Sequence, residues 1–183
     1  MRKSIFALFI CLNTYTGMAQ LDSAAIVPRI LSAADSMTTA FRSKDFNTFA
    51  HFNNKRVIDM LGGEAEFASF IEKQLEQLKD VNFTVMKPGR IIRLIAYEDS
   101  YQCIIEQQSE LQMAGVVFSS VSHLVGISFN KGQSWRFADV NTGNMEDIKS
   151  ILPELSPLLL IPKKKQEMGK TLPELLKDYK TEY

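Results

Sequence analysis

Residues 67–86 read FASFIEKQLEQLKDVNFTVM, and the spacing of their apolar side chains changes partway along. Up to Leu78 the apolar residues recur at intervals of about three or four, which is the period of an amphipathic helix. From Val81 to Met86 apolar and polar residues alternate, which is the period of a β-strand with one buried face. A chain that places its helices before its strands is expected to fold as an α+β domain, with the helices on one face of the sheet.

The residues before this stretch also carry helical patterns. A first helix is predicted over residues 28–43, with Pro28 in its first turn. Its buried stripe is expected to comprise Ile30, Ala34, Met37 and Phe41. Asp45 is the predicted N-cap of a second, short helix. A further helical turn over residues 55–61 is expected to end at Gly62-Gly63, before the helix of the opening stretch begins.

The residues after Asp80 predict a run of antiparallel strands. Their expected ranges are 81–86, 91–97, 101–113, 116–129 and 134–140. Pro88-Gly89 is expected to turn the chain between the first two strands. Residues 145–161 predict a short helix and an apolar segment that packs back on the domain, because such a segment would be a sticky patch if exposed. The expected architecture is N-terminal helices packed on a curved antiparallel sheet of four to five strands.

The turn before the last predicted strand carries a recognisable motif. Residues 128–135 read SFNKGQSW, a pattern similar to the Asp-box hairpin of sialidase-type propellers, with Asn130 in place of the aspartate. A propeller needs several blades, and this chain holds one copy of the motif, so a glycosidase is not expected. The motif instead predicts a hairpin turn over residues 130–133, with Trp135 packed beneath it.

This order of elements resembles the cystatin-like, nuclear transport factor 2-like superfamily, and within it small exported proteins of uncharacterised function. The resemblance covers residues 24–142 and rests on the order of the elements, on VIDMLGG at residues 57–63 and on GQSWRF at residues 132–137. It implies a cone, in which helices close the concave side of a strongly curved sheet and leave a cavity. The superfamily includes isomerases, dehydratases, binding modules and dimeric scaffolds, so the resemblance implies a fold and not an activity.

The first 19 residues are predicted to be a signal peptide. Arg2 and Lys3 precede an apolar run over residues 5–12, and small residues precede a predicted cleavage site after Ala19. That run of 8 residues is much shorter than the roughly 20 needed to cross a bilayer, so no stable membrane anchor is expected. The protein is therefore expected to be exported, to the periplasm or out of the cell. The mature chain is expected to be a single domain over residues 20–162, followed by a mobile charged tail over residues 163–183.

The charge and cysteine content argue against several classes of protein. The 183 residues include 21 basic and 21 acidic side chains, so the basic field of a nucleic-acid binder is not expected. Signal-peptide cleavage would leave Cys103 as the only cysteine, in an apolar strand where a buried, unreactive thiol is expected. The two histidines, His51 and His123, stand in no metal-ligand spacing, so neither a metal nor another cofactor is expected.

Two residues on neighbouring predicted strands are the candidate catalytic groups. His123 alternates with valines along its strand, and a partly buried neutral imidazole can act as an acid or a base near neutral pH. Glu106 would have a raised pKa if it faced a cavity among apolar side chains. Each residue also has a structural interpretation, His123 as a core histidine and Glu106 as part of a solvated sheet face.

Four further residues are candidate ligand-binding groups: Arg136, Trp135, Phe118 and Met113. Arg136 is suited to an anionic group of a ligand, or alternatively to an ion pair with Glu106. The other three would supply apolar contact to a ligand in the cone.

The sequence supports two classes of function. The first is a non-enzymatic exported domain that binds an apolar or amphipathic small molecule in its cone, or that forms a homodimer through its sheet. The alternative is a small lyase or isomerase of the ketosteroid-isomerase-like type that uses His123 or Glu106. The binding domain is favoured, because no complete catalytic constellation is recognisable among the residues.

Overall fold

The computed structural model describes residues 21–78, 81–113, 116–140 and 145–162, together with the backbone of residues 165–166 and 170–171. The predicted signal peptide lies outside these residues, and so does most of the predicted tail. The described residues form an α+β domain, as the sequence predicts, in which helices precede a four-stranded antiparallel sheet.

The helices are α1 (Ser23–Arg42), α2 (Phe46–Phe52), α3 (Lys55–Met60), α4 (Glu64–Gln77) and α5 (Met145–Ile151). The strands of the sheet are β1 (Val81–Tyr97), β2 (Ser100–Met113), β3 (Val116–Ser128) and β4 (Arg136–Asp139). These strands form an antiparallel meander in chain order. Two short strands, β5 (Lys165–Gln166) and β6 (Lys170–Thr171), pair with the N-terminal half of β3, which β4 does not reach.

The first helix begins earlier than predicted, at Ser23. Asp22 caps it, and its Oδ1 accepts a hydrogen bond from the backbone N–H of Ala25 at 3.2 Å. The prediction that Pro28 occupies the first turn is therefore wrong, because Pro28 lies inside α1. Proline is tolerated there because Pro28 and Ala24 are both exposed, so water can reach the Ala24 carbonyl that proline leaves without a helical donor.

The predicted cap and stop of the next helices are confirmed. The Asp45 carboxylate accepts a hydrogen bond from the backbone N–H of Thr48 at 3.0 Å and begins α2. Gly62 and Gly63 have φ angles of 98° and 121°, which residues with a Cβ rarely adopt, and they separate α3 from α4. After these glycines, α4 packs against α2.

The two strands predicted on either side of Pro88-Gly89 are one strand, β1, so the predicted turn is wrong. β1 pairs with β2 along its whole length, with register shifts around Pro88 and Ile91. Proline is accepted because β1 is the first strand of the sheet path, where a missing N–H removes no ladder bond on the outer side. Gly89 is needed because a Cβ there would lie 3.0 Å from the Cβ of Glu106. The Pro-Gly pair therefore makes an irregularity in a strand and not its end.

Each face of the sheet carries a buried apolar cluster. On one face, termed the helix face, Cys103, Ile105, Leu124 and Phe137 pack against Ile30, Ala34 and Met37 of α1. On the other, termed the outer face, Ile104, Val125 and Ile127 pack against Leu152, Leu155 and Leu159. The prediction that the apolar segment after α5 packs back on the domain is confirmed for Leu159, which is fully buried, whereas Leu158 and Leu160 are 63% and 76% exposed.

One buried amide fastens this segment to the outer face. Gln102 of β2 is completely buried, and its Nε2 donates to the Glu154 carbonyl at 2.8 Å and to Ser100 Oγ at 2.9 Å. Its Oε1 accepts from the backbone N–H of Ser156 at 2.9 Å. The segment is thus fixed to the sheet by hydrogen bonds as well as by apolar contact.

The hairpin before β4 has the structure that its motif predicts. Asn130 Oδ1 accepts hydrogen bonds from the backbone N–H of Ser134 and from Ser128 Oγ, both at 2.9 Å. Trp135 is buried beneath the turn, and its Nε1 donates to the Gly132 carbonyl at 3.2 Å. Because the turn uses Ser134 and Trp135, β4 begins at Arg136, two residues later than predicted.

Candidate functional site

A cavity of about 510 Å³ lies between the helix face of the sheet and helices α1, α2 and α4. It is termed the helix-side cavity. From the helices it is lined by Met37, Phe41, Phe49, Phe67 and Ile71, among others. From the sheet its lining includes Phe83, Met86, Gln107, Ser109, Ser120 and Ser122. The volume lies within the range of roughly 300–1,000 Å³ that is usual for small-molecule sites.

Aromatic contacts build one wall of this cavity. The ring centroid of Phe41 lies 5.2 Å from that of Phe49 and 5.4 Å from that of Phe83, and Phe49 lies 5.9 Å from Phe67. These contacts connect α1, α2, α4 and β1, so each of the four elements contributes a ring that packs against a ring of another element. The result is an ordered apolar surface, of the kind that packs against hydrocarbon or aromatic groups.

The floor of the cavity is polar, and it is built by cross-strand pairs of β2 and β3. Gln107 lies opposite Ser122, and Ser109 opposite Ser120, in the antiparallel register. The Oγ atoms of Ser109 and Ser120 are 2.7 Å apart and form a hydrogen bond. All four side chains point to the helix face because alternate residues of a strand share one face.

Gln107 stands out among these floor residues. It is only 3% exposed, and its Oε1 is buried without a hydrogen-bond partner. Leaving a buried polar atom unsatisfied costs about 1–3 kcal/mol, so such atoms are rare in folded proteins. Gln107 therefore combines an unsatisfied buried amide oxygen with a position in the lining of an apolar cavity.

The cavity carries little charge. Among the described residues that line it, Asp139 is the one with an ionisable side chain, and it is exposed at the end of β4. No lysine, arginine or histidine belongs to this part of the lining. The helix-side cavity is therefore suited to a ligand without an anionic group.

The two candidate catalytic residues lie elsewhere. Glu106 and His123 are paired across β2 and β3, and they share the outer face with Ile104 and Val125. Glu106 therefore does not face the cavity, which was the condition for its predicted role. Its Oε1 accepts a hydrogen bond from Arg90 Nε at 2.9 Å. His123 is buried, with 4% of its surface exposed, and it is not among the residues that line the helix-side cavity.

The candidate ligand-binding residues are also dispersed. The proposed ion pair of Arg136 with Glu106 is wrong, because Arg136 donates to the Asn53 carbonyl at 3.2 Å and its Nη2 lies 3.4 Å from Glu64 Oε1. Trp135 belongs to the core beneath α1. Phe118 and Met113 lie on β3 and β2 beyond the residues that line the cavity, and Met113 is 42% exposed.

The polar floor is not among the predicted features, although the sequence carries a signal for it. Gln107 and Ser109 continue the alternation that begins with Cys103 and Ile105, so the same face of β2 passes from apolar to polar. Ser120 and Ser122 stand before Leu124 on β3 in the same way. Two neighbouring strands that change from apolar to uncharged polar residues on one buried face indicate a cavity with a polar floor.

Cys103 is confirmed as a buried thiol. It is fully buried in the core between α1 and the sheet, and burial raises its pKa to about 12. The thiolate form is therefore scarce near neutral pH, and the residue takes no part in the cavity.

Within the described residues, no group of three or more histidine, cysteine, aspartate or glutamate side chains is placed to hold a metal ion. None of the described helices combines the length and apolar character needed to cross a membrane.

Comparison of the chain with family models, curated proteins and solved structures finds no match. The resemblance to the cystatin-like superfamily therefore stays an expectation from the sequence.

Proposed function

We propose that this domain binds an apolar or amphipathic small molecule in the helix-side cavity. The observation that carries the proposal is Gln107, a residue that lines a cavity with an aromatic wall and whose buried Oε1 has no hydrogen-bond partner. An apolar ligand gains about 25 cal/mol for each Å² of surface that it removes from water. One polar group of the ligand would then satisfy the amide.

A lyase or isomerase that uses His123 or Glu106 is not favoured by the site. Both residues lie on the outer face of the sheet, with the strands between them and the helix-side cavity. If the predicted signal peptide is functional, the ligand would be bound in the periplasm or outside the cell. A homodimer through the sheet remains an untested prediction.

A hydrocarbon probe tests the proposed site. Diphenylhexatriene becomes fluorescent in an apolar environment and has no hydrogen-bonding group, so it reports the aromatic wall alone. Met86 of β1 lines the cavity, and Met86→Trp is expected to narrow it and to weaken probe binding at least about tenfold. The neighbouring Val85 does not line the cavity, so Val85→Trp is the matched control and should leave binding unchanged.

Both variants need circular dichroism spectra that match the unsubstituted protein. Equal probe binding by Met86→Trp and Val85→Trp would place the probe elsewhere and overturn the proposal. Native mass spectrometry of the protein purified from its own cells supplies a second measurement. A retained small molecule that dissociates on denaturation is expected, whereas a ligand-free dimer would favour the scaffold interpretation.

A further inference from the structure

We propose that the ligand of the helix-side cavity is a neutral amphiphile that carries a hydroxyl group, and that Gln107 binds this hydroxyl. The inference rests on the proposed function and narrows its ligand to one chemical class. Three observations support it: the contrast between two buried amides of β2, the charge of the cavity lining, and the serines beside Gln107.

The first observation is the contrast between Gln102 and Gln107. Both are buried glutamines of β2, with 0% and 3% of their surfaces exposed. The Gln102 side chain makes three hydrogen bonds, to Ser100, Glu154 and Ser156, and so satisfies both ends of its amide. The Oε1 of Gln107 makes none. Because the fold satisfies one buried amide of this strand fully, the unsatisfied one points to a partner from outside the chain.

The second observation is the charge of the lining. The described lining holds the Asp139 carboxylate and no cationic side chain. A carboxylate or phosphate ligand would lose its hydration in the cavity without meeting a positive charge, which disfavours its binding. A neutral polar group avoids this cost.

The third observation is the arrangement around the Gln107 amide. Ser122 lies directly opposite Gln107 on β3, and it lines the same cavity. A hydroxyl both donates and accepts, so it can pair with either end of the amide and with a serine hydroxyl at the same time. The apolar part of the ligand would then extend along the aromatic wall, over Phe41 and Phe83.

Competition between matched amphiphiles tests this inference. Decanol, decanoate and decane share one chain and differ only in the head group, and each would be titrated against bound diphenylhexatriene. Decanol is expected to displace the probe at a concentration at least about tenfold lower than decanoate. Gln107→Leu keeps the side-chain volume but removes the amide, and it is expected to weaken decanol binding about tenfold. The same substitution should leave decane unaffected.

Gln108→Leu is the matched control, because Gln108 is the next residue of β2 and is exposed on the outer face. It should leave all three affinities unchanged. Decanoate binding as tightly as decanol would overturn the inference, as would a Gln107→Leu protein that keeps its decanol affinity. Decylamine that binds more tightly than decanol, with the advantage lost in Asp139→Asn, would overturn it in favour of a cationic ligand. In each of these cases, weaker probe binding by Met86→Trp would still support ligand binding in the helix-side cavity. The proposed function and the proposed ligand class can therefore fail separately.

Discussion

Cys103 and Gln107 show how much the surroundings of a single residue matter. They lie four positions apart on the same face of β2, and both are buried. Cys103 is enclosed by the core beneath α1, where its thiol is held neutral. Gln107 lines the helix-side cavity, and its Oε1 lacks a hydrogen-bond partner. The alternation of the strand predicts that both side chains share a face, but which residues stand over a cavity depends on where the helices end, and this is set by tertiary packing.

The raised pKa of Cys103 predicts a loss of stability at alkaline pH. The thiol has an ordinary pKa of 9.0 and a pKa of about 12 in the folded protein. Above pH 9.0 the unfolded chain releases this proton and the folded chain keeps it, so the contribution of Cys103 is complete below 9.0 and is lost as the pH rises toward about 12. Each pH unit in this window should lower the free energy of unfolding by up to about 1.4 kcal/mol.

Urea unfolding of the unsubstituted protein and of Cys103→Ala across this window measures the effect. The difference in stability between the two should shrink as the pH rises, because the variant lacks the titrating group. Parallel stability curves for the two proteins would show that Cys103 keeps an ordinary pKa in the fold.

At the scale of elements, local sequence signals such as caps and glycines predict where a helix begins or ends better than they predict how long an element is. Asp45 and the Gly62-Gly63 pair are confirmed because a cap and a positive φ are properties of a few adjacent residues. Pro28 and Pro88-Gly89 give wrong predictions, because proline is typical of an element boundary and neither proline lies at one. Both prolines are accommodated by their position, one on the exposed side of α1 and one at the sheet edge, and such positions are not visible in the local sequence.

The segment after α5 offers a matched test of packing on the outer face. Leu159 is 0% exposed against the sheet and Leu160 is 76% exposed, although the two are adjacent. Leu159→Ala should lower the free energy of unfolding by about 2–5 kcal/mol, because it leaves a cavity in a closed apolar cluster. Leu160→Ala should change it by less than about 0.5 kcal/mol. Urea denaturation measures both, and equal losses would mean that the segment does not pack on the sheet in solution.

At the scale of the whole molecule, the helices on the helix face and the segment after α5 on the outer face pack on the same sheet. The α+β class and the order of helices and strands followed from the period change near residue 80. Which face of each strand would meet the helices did not follow, since a register offset of one residue exchanges the two faces. For this reason Glu106, whose predicted role requires that it face the cavity, lies on the outer face, and Gln107 and Ser122 line the cavity instead.

Because the apolar clusters on the helix face and on the outer face share one sheet, we expect them to unfold together. Trp135 is the only tryptophan, and it is buried on the helix side of the sheet. Leu159→Ala acts on the outer face, yet it should shift the Trp135 fluorescence transition as far as the far-ultraviolet circular dichroism transition. A Trp135 transition that stays in place while the circular dichroism transition moves would indicate that the clusters unfold independently.

The irregular strand β1 also bears on how copies of this protein could meet. β1 pairs with β2 and, within the described part of the chain, with no other strand, so its outer side is a sheet edge. Pro88 can offer no N–H along this edge, the register shifts around it, and the exposed Arg93 adds positive charge. An edge of this kind is a poor template for a strand of another molecule. Pro88 and Gly89, which wrongly predict a turn, therefore protect the edge of β1 from edge-to-edge aggregation.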